Sequence, residues 1–172
     1  MSTTSGQRND VGQNLRVMRI ILIALCLGVL SFATVVLVVS RGAAPDAKPL
    51  MAWIGLAFAV AAFLGRQFMR SFLEVVNRKG MLEKEKAGAA TKSPEAFLWN
   101  IYQTRLIIGA ALLEGACFFN LVCYMVEGQW WNLAVVGVFL AINASTYPTK
   151  DGVETWIQQQ LELLELDRNQ AN

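Results

Sequence analysis

The sequence predicts an all-α polytopic membrane protein with four transmembrane helices, a cytoplasmic helical extension and a C-terminal amphipathic helix. Three observations carry this expectation. The chain is 55% hydrophobic and only 16% charged, where a soluble domain carries about 25% charged residues. Its apolar residues are gathered into runs at about 17–39, 50–68, 106–126 and 130–146, near the roughly 20 residues that cross a bilayer. With the N-terminus inside, only Arg41 and Lys48 of the 15 Lys and Arg residues fall outside, a strong positive-inside bias.

Residues 1–14 are polar and rich in Ser, Thr, Gly, Gln and Asn, which predicts a disordered tail. The four-helix transmembrane domain is expected over 15–149. Its first span, 17–39, follows Arg16 and Arg19. A cleaved signal peptide competes with it, because Gly42-Ala43-Ala44 follows. The apolar run is longer than a signal core of roughly 7–15 residues, which favours the span. Pro45 and Pro49 break the chain before the second span, 50–68. Arg66 and Arg70 are placed to snorkel at the end of that span. The helix is expected to continue to about Asn77, with a mobile, charged loop over 78–92 inside a cytoplasmic segment 66–105.

Ser93-Pro94-Glu95 predicts a helix start. Ser93 can cap, Pro94 fits the first helical position, and Glu95 favours the positive end of the dipole. A helix from Pro94 to Val126 would be about 50 Å long and would overshoot the hydrocarbon. Its third span is 106–126, ended by Glu127-Gly128, with Glu127 expected at the outer interface and solvated. Trp130 and Trp131 stand where an aromatic belt forms. The fourth span, 130–146, is the shortest. Asp151 to Glu154 resembles a capping box that opens the 150–172 helix. Val153, Trp156, Ile157, Leu161 and Leu164 recur there at helical spacing on one side. That tail is acidic and segment 66–105 is basic, which predicts that the tail docks on it.

Composition also excludes chemistry. There is no histidine, hence neither the commonest general base nor the commonest metal ligand. Cys26, Cys117 and Cys123 lie in apolar runs without CxxC spacing, so no metal, cofactor or disulfide framework is expected. A membrane enzyme has no nucleophile or metal cluster to rest on. The basic residues follow the membrane rule and no aromatic platform accompanies them, so no nucleic-acid partner is expected.

Glu114 is the outstanding residue. It lies roughly 12 Å into the third span, counted from Leu106. A carboxyl at that depth costs a few kcal/mol on insertion scales and marks a functional site by default. Ala111 and Gly115 beside it allow another helix to approach. In the second span Gly55, Ala57, Ala59 and Ala61 alternate. Gly55 and Ala59 share one side, and Ala57, Ala61 and Gly65 nearly the opposite one, so the helix can pack on two flanks. Asn120 lies on a different side from Glu114 and is expected to hydrogen-bond a neighbouring helix. Ser31 and Thr34 are expected to bond their own backbone.

In order, these features resemble the proteolipid hairpin of rotary ATPases, the c subunit of the membrane rotor, over about residues 50–126. Gly55, Ala57, Ala59 and Ala61 look like its glycine motif in alanine-rich form. Pro94-Glu95-Ala96 looks like the end of its loop motif, with Lys92-Ser93-Pro94 where the family has Arg-Gln-Pro. Ile107 to Gly115 looks like its carboxylate segment. The resemblance implies that Glu114 carries a proton or cation, that the chain self-associates, and that other membrane subunits are partners. It implies a non-catalytic subunit in the bilayer. The Lys and Arg bias predicts that both termini are cytoplasmic, and a bacterial inner membrane is the expected location. The alternative expectation is a structural or scaffolding membrane protein in which Glu114 only bonds neighbouring helices.

Overall fold

The computed structural model describes residues 4–40, 49–86 and 94–170. All secondary structure among them is helical: α1 (Thr4–Val39), α2 (Leu50–Lys86), α3 (Pro94–Glu127), α4 (Trp130–Ser145) and α5 (Lys150–Gln170). Among the described residues, three helices are long and apolar enough to cross a membrane, over Leu15–Val39, Leu50–Leu73 and Phe97–Glu127. This supports a membrane protein. The fourth expected span is α4, which has 16 residues and is about 24 Å long, short of the roughly 30 Å hydrocarbon core.

Several boundaries differ from the sequence expectation. α1 begins at Thr4, so most of the expected polar tail is helical. Once the apolar run has nucleated a helix, each added residue extends it at little cost. α2 runs unbroken to Lys86, past the expected end near Asn77 and through most of the expected loop. The remainder of that loop, with Ser93, lies outside the described residues. Pro94 is the first residue of α3, as its fixed φ favours. Gly128 ends α3 with φ 66° and donates its N–H to Tyr124 O at 2.8 Å. That left-handed stop suits glycine.

The chain divides into two compact units: Met1–Met18 with Phe68–Leu106 and Pro148–Asn172, and Arg19–Gln67 with Ile107–Tyr147. The second is a four-helix bundle. Phe32 meets Phe118 edge-on, and Gly28 faces Glu114, so α1 and α3 run in the same direction. Met51 and Ala52 meet Glu127, while Arg66 lies along Gly109. α2 is therefore antiparallel to α3. Trp53 meets Trp131 and Arg66 meets Thr146, so α4 runs alongside α2. The core joins Val29 and Val36, Ala59 and Ala62, Leu113, Ala116, Cys117 and Leu121, and Val136 and Phe139. Facing outward are Ile20, Leu27, Leu30, Val35 and Val38 of α1, the surface a helix offers to lipid tails.

In the first unit α5 packs on the N-terminal part of α3. Leu98 and Ile101 are buried against Trp156, Ile157 and Leu161. Tyr102 lies 5.3 Å from Trp156, ring to ring, and the Arg105 guanidinium sits 5.7 Å over the same indole. The contact joins the expected partners through apolar and aromatic surface. Val153, Trp156, Ile157 and Leu161 face inward as their spacing predicts, while the side chain of Leu164 lies outside the described residues. The cap differs: Thr149 Oγ1 accepts from Gly152 N at 3.2 Å, and Glu154 pairs with Lys150 at 3.8 Å. A hydroxyl two residues earlier thus replaces the expected Asp151–Glu154 box. Replacing Trp156 by Ala should weaken α5 docking by on the order of 2 kcal/mol, from lost apolar burial and ring contacts. Limited proteolysis checks this, with faster cleavage expected around 148–170.

Candidate functional site: the carboxyl of Glu114 and its bundle

Glu114 lies mid-way along the bundle part of α3. Leu113 and Cys117 on either side of it in sequence are fully buried, whereas Ala111 and Gly115 are exposed. A Cβ on Gly115 would meet nothing within 4 Å. Helical geometry puts Ala111 and Gly115 about 60° and 100° around the axis from Glu114. The carboxyl thus stands on the border between core and an open strip of small residues. Its inner side meets α1: a Cβ on Gly28 would sit 3.5 Å from Glu114 Oε1 and 3.9 Å from the Phe118 ring. Among the described residues none donates a hydrogen bond to the Glu114 carboxyl. No group of three His, Cys, Asp or Glu among the described residues could hold a metal.

The alternating small residues of α2 part into two faces. Gly55 and Ala59 are buried in the bundle, whereas Ala57 and Ala61 are exposed. Gly55 permits the closest approach: a Cβ there would stand 3.0 Å from both Asn120 Oδ1 and Cys123 Sγ. Asn120 is fully buried, and its Nδ2 donates to Gly55 O at 3.1 Å and to Ala116 O at 2.8 Å. The expected interhelical bond is thus present. Thr34 bonds its own backbone at Leu30 O, 2.9 Å, also as expected.

Two charged residues occupy unexpected places. Glu127 is 5% exposed rather than solvated. Its two oxygens accept the Met51 and Ala52 N–H groups, both at 2.7 Å. These are unpaired donors of the first turn of α2, where a negative charge also favours the dipole. Arg66 is 6% exposed rather than snorkelling. Its Nη2 donates to Thr146 Oγ1 at 2.7 Å, and that hydroxyl donates to Ile142 O at 2.7 Å. Thr146 is the C-cap of α4, so the guanidinium serves the negative end of a helix. A clue to Arg66 was present in the sequence: Phe68 and Phe72 carry apolar character past it, and the apolar stretch extends to Leu73. Glu127 offered no such clue, because its partners lie 75 and 76 residues away.

Comparison with known protein families, with curated proteins and with solved structures finds no match to this chain.

Proposed function

We propose that the protein is a proteolipid-like integral membrane subunit in which Glu114 exchanges a proton or a cation. The observation that carries this reading is the setting of Glu114. It lies deep in an apolar helix, beside the open strip of Ala111 and Gly115, with no donor among the described residues to hold it. A carboxyl used only to join helices would be expected to bond one. Hydrocarbon disfavours its charged form, so uptake and release would occur at different surroundings of the same group. The resemblance to the rotor hairpin gives the same role to the same residue. Self-association would use the faces left open in the single chain, Ala57 and Ala61 on α2 and Ala111 and Gly115 on α3. Lipid is the first partner and further membrane subunits the second.

In this reading α4 is a short fourth crossing, and both termini are cytoplasmic, in a bacterial inner membrane. The distribution of Lys and Arg supports that orientation. Single cysteines at 46, 86 and 169, in a chain whose native cysteines are replaced by Ala, should divide accordingly. Only position 46 should react with an impermeant reagent in intact cells, and labelling at 86 would overturn the orientation.

A structural or scaffolding role is the second reading. It is favoured by Glu127, Arg66 and Asn120, three polar residues that each bond a neighbouring helix. Glu114→Gln separates the two. It keeps size and hydrogen bonding but cannot ionise. The exchange reading predicts that ion flux in reconstituted vesicles is lost while the protein stays assembled. Equal behaviour of wild type and variant, with no flux in either, selects the structural role. Glu114→Leu should weaken helix association by roughly 0.6–2 kcal/mol only if the side chain bonds across helices.

A further inference from the structure

The outer half of the bundle contains buried polar atoms that neither reading of Glu114 accounts for. Asn120 and Asn132 are both 0% exposed. Asn120 Oδ1 has no hydrogen-bond partner among the described residues, and neither Oδ1 nor Nδ2 of Asn132 has one. Three contacts fix these amides at one height. Asn120 bonds Gly55 O, joining α3 to α2. The Trp53 and Trp131 rings meet at 5.6 Å, tilted by 53°, joining α2 to α4 two residues before Gly55 and one before Asn132. Cys117 Sγ reaches Val136 O at 3.9 Å, joining α3 to α4. One turn outward from that last contact, α3 presents 120–121 and α4 presents 132–133, since the two helices run in opposite directions. Gly55, Asn120 and Asn132 therefore share a layer.

We propose that this layer is a binding site for an ordered water that bridges Asn120 and Asn132. The unpartnered atoms are two acceptors, the Oδ1 atoms, and one donor, Asn132 Nδ2. A water supplies two donors and accepts from the third group, and the amides give the two to four polar partners that hold a buried water. A cation fits less well, because the Asn132 N–H groups would face it and the layer contains no carboxylate. The guest also offsets a cost, because each unpaired amide in an apolar interior is unfavourable. The water links α2, α3 and α4 through Asn120 and its Gly55 bond. The site is independent of the role of Glu114, six residues further in on α3.

X-ray radiolytic labelling of the full chain in detergent, read by mass spectrometry, tests the site, because radicals form at bound water and oxidise the side chains next to it. Leu121 and Leu113 are the internal pair. Both are 0% exposed and both lie on α3, but only Leu121 is at the layer. The expected result is oxidation of Leu121 several-fold above Leu113, falling to the Leu113 level in Asn132→Leu. Equal oxidation of the two leucines in wild type overturns the proposal. So does undiminished Leu121 oxidation in a folded Asn132→Leu. If that variant does not fold, the wild-type comparison decides alone.

Discussion

Glu127→Ala should unfold the bundle at markedly lower denaturant than wild type. The carboxylate accepts the Met51 and Ala52 N–H groups, both at 2.7 Å, and Glu127 is almost fully buried. Hydrogen bonds to a charged group contribute about 1.5–3 kcal/mol each, and a buried donor left unpaired loses its solvation as well. Two such bonds, one of them only partly buried, give an expected loss of about 3–5 kcal/mol. That is a large share of the roughly 5–15 kcal/mol that holds a typical domain together. Glu127→Gln keeps one good acceptor and should lose about half as much. Equilibrium unfolding in mixed micelles measures both. A loss below about 1 kcal/mol for the Ala variant would mean that water or another group caps α2 instead.

Gly55→Leu is the second large effect. Even a methyl group on Gly55 would press to 3.0 Å on Asn120 Oδ1 and Cys123 Sγ. Asn120 cannot yield freely, because its amide is tied to Gly55 O and Ala116 O. Gly55→Ala should therefore cost about 1–3 kcal/mol, the usual range for overpacking, and Leu at that site more than Ala. Ala57→Leu, on the exposed face of the same helix, is the control. It adds similar bulk toward lipid and should leave the stability of the single chain unchanged. Any oligomer built through that face should instead be weakened. The contrast separates packing within the chain from packing between chains.

Much of the helical frame is legible in the residues. Apolar runs mark the membrane segments, because burial in lipid needs continuous hydrophobicity and internally bonded backbone. Pro94 and Gly128 mark ends of α3 through their own backbone preferences. The inward side of α5 is readable from the spacing of Val153, Trp156, Ile157 and Leu161, since in water an apolar stripe must find cover. Glu114 stands out because a carboxyl in an apolar run is costly wherever the helix turns.

Tertiary structure decides what those clues leave open. The alternating Gly55, Ala57, Ala59 and Ala61 of α2 permit close approach on either side, yet of these four only Gly55 and Ala59 are buried. In lipid an apolar face has no preference for protein over acyl chains, so hydrophobicity cannot select the packed side. Selection falls to polar contacts distant in sequence: Asn120 on Gly55, Glu127 on the start of α2, and Arg66 on the end of α4. By composition Glu127 and Arg66 belong at the membrane surface. They are buried because helix ends leave unpaired N–H and C=O groups that water cannot reach, and a charge of the right sign from another helix satisfies them.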